Sequence, residues 1–269
     1  PVEAITIGLE NDLTALDSVA RSLEENGDDV LAVVLQNPNF FGLIEPMENA
    51  SSLLGCGKGK DDAPRRDRPL LISIVDPISL GILKDPGAYG ADIAIGDGQQ
   101  LGNPPNLGGP TFGFFTTLQE HVRKVPGRIV GETVDSDGKR RYVLTFQTRE
   151  QHIRRERATS HICTNQGLLA IRATVYLSLL GRQGLVDVAE LCCRKSHYAA
   201  ERLGELPGFE LMFSRPFFKE FTLRYQGDAT DVINRAADAG FDLGPALGRF
   251  PRLRESLGEA ADQTFLVAV

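Results

Sequence analysis

The chain has 269 residues, 42% of them hydrophobic, and a formal net charge of −7, which suits one or two domains burying about 70–75% of the unfolded surface. Its acidic balance argues against a general nucleic-acid surface, and no apolar run approaches the ~18 residues of a membrane span. Cys56, Cys163, Cys192 and Cys193 lack a CxxC or Cys/His spacing suited to zinc and read as reduced thiols; with no secretory pattern, the expected setting is cytoplasmic and no metal is expected.

Residues 4–7 and 30–35 read as strands flanking a helix at 13–23, where Leu13, Leu16, Val19, Ala20 and Leu23 recur at helical spacing before Asn26 and Gly27 end it. The chain opens inside this βαβ pattern without a methionine, so its natural amino terminus is expected to be missing. Gln36, Asn37, Pro38 and Asn39 follow the second strand, where open sheets gather ligand-binding side chains, although a turn alone would explain them. Phe40 and Phe41 read as a plug of the interior or of a domain interface rather than a stacking platform.

A crossover through residues 44–54 and a polar loop at 57–69 lead to a buried strand, Leu70–Val75, in a mostly parallel sheet. Asp76 stands at its carboxyl end, either as a turn cap or as a carboxylate facing a ligand. Next comes GADIAIGDGQQLGNPPNLGGPTFGFF at 90–115, a strand, a glycine-rich loop and a second short strand. Its glycines permit positive φ and its prolines stiffen the path. Such a unit fits the place where a pyridoxal-phosphate enzyme presents its Schiff-base lysine; here Gln99 and Gln100 stand there, and the loop contains no lysine.

Residues 133–141 form a hairpin signal with Asp135, Ser136, Asp137 and Gly138 at the tip. QTREQHIRRER at 147–157 is a solvated face, a basic patch or an interface, in which Arg149, Arg154 and Arg155 have the forked donors that hold carboxylate or phosphate, and His152 reads as structural. Cys163, Thr164 and Asn165 introduce a helix in which Leu168, Leu169, Val175, Tyr176, Leu179 and Leu180 make an apolar run, expected as core, that Gly181 interrupts. The character changes again at 209–224, before a helix at 229–239 and a strand-like run at 264–269, placing a domain boundary between Leu185 and Pro207.

Several long runs carry a resemblance: QNPNFFGLIE at 36–45, VDPISLGILKDPGAYGADIAIGDGQQLG at 75–102, GGPTFGFF at 108–115, the whole of 126–170 and YLSLLGRQGL at 176–185. Together they resemble the alpha-type chains of the glycine decarboxylase P-protein family of the glycine cleavage system, over most of the chain. The resemblance implies an α/β fold of the aspartate-aminotransferase type (pyridoxal-phosphate transferases, fold type I). Residues 1–190 would be the carboxyl-terminal part of the large domain and 191–269 an incomplete small α+β domain.

It also implies an alpha2beta2 assembly in which the beta subunit holds pyridoxal phosphate and glycine's aminomethyl group passes to lipoylated H-protein. Asp76 would then keep a vestigial cofactor-carboxylate position. Asn37, Asn39, Arg149, His152, Arg154, Arg155 and Asn165 would be candidates for the subunit interface or the substrate site. A glutamine amide cannot form a Schiff base, so this chain alone is not expected to decarboxylate glycine. The rival readings are a non-catalytic scaffold or regulator of the same fold, and an independent pyridoxal enzyme using Lys84 or Lys124, neither of which lies in the glycine-rich loop.

Overall fold

The computed structural model describes residues 2–56, 68–105, 108–125, 127–158 and 166–269, with Arg149 described by its backbone only. Two short strands, β1 (Leu9–Glu10) and β2 (Leu13–Thr14), pair as a hairpin ahead of helix α1 (Leu16–Asn26). Asn11 and Asp12 between them have φ of 49° and 72°, the doubly left-handed turn that suits a two-residue hairpin. Pairing of Leu13 and Thr14 delays the helix beyond its expected start. The strand expected at 4–7 is not formed, and no opening βαβ unit exists: Ile5 is 56% exposed, and an apolar run without a paired neighbour has nothing to hold it extended.

The main sheet has four strands in the order β3 (Ala32–Asn37), β4 (Leu70–Val75), β5 (Ile93–Asp97) and β6 (Gly113–Thr117). The first three run parallel and β6 is antiparallel to β5. Helix α2 (Met47–Leu53) follows β3 and covers one face, where Leu35, Met47, Ala50, Leu54, Leu71 and Tyr89 form a core. On the other face burial is incomplete, and Val34 is 52% exposed. At the amino ends of β4 and β5, Arg68 donates two hydrogen bonds to the buried Asp92 at 2.8 and 2.9 Å, closing that end of the sheet.

Strands β7 (Ile129–Val134) and β8 (Arg140–Thr145) form the expected hairpin, with Asp135 accepting from the backbone N–H of Asp137 and Lys139 at its tip. After the short α3 (Gln151–Arg154), helix α4 (Gly167–Gly204) runs past residue 190, so the expected division at 190/191 falls inside it. The carboxyl-terminal unit is a three-stranded antiparallel sheet of β9 (Phe209–Leu211), β10 (Glu220–Tyr225) and a last strand, with α5 (Ala229–Asp238) and α6 (Pro251–Leu257) before that strand, β11 (Thr264–Ala268). Phe221, Leu223, Phe265 and Val267 make its core together with Ala200 of α4.

The first half of α4 corrects an expectation. Leu168, Ile171, Val175 and Leu179 are 76%, 62%, 54% and 82% exposed, so its apolar run is not core within this chain. Ala173 and Tyr176 do pack inward, on Leu101 and Ile78. At Gly181 the backbone leaves helical geometry with φ 63° and ψ −174°, a conformation essentially reserved for glycine.

Candidate functional site at the carboxyl ends of the parallel strands

The parallel strands end together, as ligand-binding α/β sheets do. Pro38 after β3, Asp76 after β4, and Asp97 and Gln100 at and after β5 line one cavity of about 190 Å³ with Phe218, Lys219 and Glu220. The last three residues come from the carboxyl-terminal unit and are delivered by the loop that follows β3. Gly42 O accepts from Phe218 N at 3.2 Å, and Ile44 N donates to Pro216 O at 3.0 Å. Gly42 has φ 83°, and a Cβ there would lie 1.9 Å from Glu220 O, so only glycine allows this approach. Ser196 of α4 donates to Phe218 O at 2.6 Å.

Asp76 does two things. Its Oδ1 accepts from Ile78 N at 2.8 Å, capping the turn that follows, while its Oδ2 pairs with Lys219 Nζ at 2.5 Å. The expected turn cap is therefore present, and the other carboxylate oxygen, expected to face a ligand, meets a lysine of the same chain. Lys219 Nζ also donates to Gln100 Oε1 at 2.8 Å. Gln99 turns away, its amide donating to Asn103 O and Pro104 O of its own loop. Glu220 beside them has its carboxyl raised above the ordinary carboxylate value, first by burial and then by the Asp76 carboxylate, with Lys219 opposing.

The glycine-rich loop is tight for reasons of space more than of φ. Of its glycines, Gly102 and Gly108 have positive φ. Gly96 and Gly98 instead lie under rings: a Cβ at Gly96 would meet Phe114 at 2.3 Å and Val75 O at 2.4 Å, and one at Gly98 would meet Phe112 at 2.2 Å.

Asn37 and Asn39 are buried and engaged in the loop after β3. Asn37 Oδ1 accepts from Glu45 N at 3.0 Å, and Asn39 accepts from Phe41 N and Leu43 N while donating to Glu45 Oε1 at 2.8 Å. They shape the loop that brings in Lys219. Phe41 plugs the junction, edge-on to Phe213 at 5.0 Å. His152, Arg154 and Arg155 are exposed on and beside α3 and do not line the cavity. Cys163, Thr164 and Asn165 lie outside the described residues, as does the Arg149 side chain. Lys84 pairs with the exposed Glu48, and Lys124 is exposed in a short turn, so neither reaches the cavity. Sequence reasoning missed Lys219 and Glu220; two charges inside the aromatic run FFKEF at 217–221 were the available signal.

A family model described as "Glycine cleavage system P-protein" matches residues 4–249. The chain belongs to the P-protein family. A relative in Moorella thermoacetica, "Probable glycine dehydrogenase (decarboxylating) subunit 1", is 51% identical over 91% of this chain and 52% of its own length. A crystal structure of the P-protein glycine decarboxylase of the glycine cleavage system, in inhibitor-bound form, is 42% identical with a TM-score of 0.78, over 90% of this chain and 51% of that one. An alanine–glyoxylate aminotransferase from Nostoc sp. shares the fold at 18% identity, with a TM-score of 0.59 over 96% of this chain and 60% of that one. The α/β fold is thus the fold-type-I aminotransferase one, and the chain spans about half the length of the curated P-protein relatives it matches.

The cofactor of that fold, pyridoxal phosphate, does not fit the residues present. The Schiff-base position offers the amides of Gln99 and Gln100, the carboxylate is taken by Lys219, and a cavity of about 190 Å³ is below the ~300–1,000 Å³ usual for small-molecule sites.

Proposed function

We propose that this chain is part of the first subunit of glycine decarboxylase, which works with a related, pyridoxal-phosphate-bearing chain in an alpha2beta2 assembly in the cytoplasm. Together they would release carbon dioxide from glycine and pass its aminomethyl group to the lipoyl arm of H-protein. The observation that carries this reading is a P-protein chain whose Schiff-base position holds glutamine. An amide is not a nucleophilic amine, so the covalent step belongs to the partner, where the cofactor supplies the electron sink that decarboxylation needs. This chain's part is to shape and cover that site and to exclude water from it.

Its surface supports such a role. Leu168, Ile171, Val175 and Leu179 on α4, and Val130, Val134, Tyr142 and Val143 on the hairpin, are all at least 48% exposed. Exposed apolar side chains grouped along one helix and one hairpin suit an interface, and the exposed Arg154 and Arg155 have the forked donors that hold acidic groups.

The test combines the full-length form of the chain with a matching partner chain, glycine, pyridoxal phosphate and lipoylated H-protein, and weighs H-protein by mass spectrometry. Aminomethyl-loaded H-protein is expected only when both chains are present. Full loading by the partner alone would leave the scaffold reading in its place.

A further inference from the structure

Lys219 is held too firmly to be an incidental surface lysine. The residue before it is fixed from two sides, by Gly42 O and by the Ser196 hydroxyl. Its own carbonyl accepts from Val269 N at 3.2 Å. The next residue, Glu220, enters β10 in register with Ala268 of β11. From this anchored start the side chain crosses to the carboxyl ends of β4 and β5, where Nζ meets Asp76 Oδ2 and Gln100 Oε1. Both partners of the ion pair are 14% exposed, so the contact is sheltered enough to outweigh an ordinary surface pair. In pyridoxal enzymes a carboxylate just past a buried strand keeps the pyridinium nitrogen protonated; here a side-chain ammonium already stands on it.

We propose that Lys219 is a resident cation which replaces the cofactor's ring cation on Asp76, and that this ion pair, bridged to Gln100, locks the pocket against pyridoxal phosphate. The chain is then barred twice, by glutamine amides where the loop would present an amine and by an occupied carboxylate. The same contact clips the carboxyl-terminal unit to the sheet, because it joins β10 to the ends of two parallel strands.

The test uses pyridoxal phosphate itself, measured by equilibrium dialysis against the full chain without a partner, so its outcome is independent of the activity reading. Four chains are compared: Gln100→Lys alone, which puts an amine at the glutamine that lines the cavity, and Gln100→Lys combined with Lys219→Met, Lys219→Gln or Lys219→Arg. Removing the resident cation with Met or Gln is expected to tighten retention at least tenfold over Gln100→Lys alone, while Lys219→Arg, which keeps the charge, leaves it unchanged. The two neutral variants guard against a single misfolded protein, and circular dichroism confirms that each is folded. Equal retention by all four chains, whether tight or nil, overturns the proposal.

Discussion

Among the polar residues that line the cavity, Asp76, Gln100, Lys219 and Glu220 act on one another. Glu220 is the least comfortable of them, since burial and the Asp76 carboxylate both favour its neutral form. The folded chain therefore holds its proton to higher pH than the unfolded chain does. Between the ordinary glutamate value and the raised one, the folded state binds more protons, so this group's contribution to stability falls as pH rises through that window. Glu220→Gln removes the fall. Its urea midpoint relative to wild type is expected to increase as pH rises from about 4, the ordinary glutamate value; a constant difference would contradict the assigned shift. Asp76 was legible from its place just past a buried strand. Lys219 was not, because its contact depends on the loop after β3 docking onto the carboxyl-terminal unit, and nothing local in FFKEF encodes that distance.

Elements whose signals are local were the most legible. Leu70–Val75 is the strand its apolar run predicts, and Asp135 to Gly138 turn the hairpin as their residue types require. Gly181 interrupts α4 as read, and the reason is backbone geometry: nothing lies within 4 Å of a Cβ built there, but φ is +63°. Gly181→Ala is thus expected to cost about 1–3 kcal/mol through conformation alone. Gly204→Ala, with equally open space and no positive φ, is expected to cost nothing. Urea unfolding of the two variants checks this, and equal midpoints would mean that the break at Gly181 is not strained for alanine. What the apolar pattern of α4 did not reveal was which surface buries it. Helical periodicity marks a face that must be covered, and in this chain the first half of that face remains open. The start of the chain failed for a related reason, since residues 4–7 have strand composition but no paired neighbour.

Taken whole, the chain is a member of the P-protein family in which a lysine of the carboxyl-terminal unit occupies the cavity at the ends of the parallel strands, and in which apolar side chains on α4 and on the β7–β8 hairpin are exposed. Under the function proposed above these two properties belong together: a chain that leaves the covalent step to a partner keeps the tasks of contact and enclosure, and the exposed apolar side chains of α4 and the β7–β8 hairpin are suited to contact. Family, fold and the absence of a lysine from the loop were all readable from residues, because long irregular motifs survive where side-chain roles do not. The proposed sharing of one site between two chains is a claim of dependence, which a titration measures directly. Labelled bicarbonate exchange into glycine, with pyridoxal phosphate and H-protein present, should be followed as the full-length form of this chain is added to a fixed amount of the partner. The rate is expected to rise from near zero and saturate at one chain per partner chain; a rate already maximal before any is added would contradict the account.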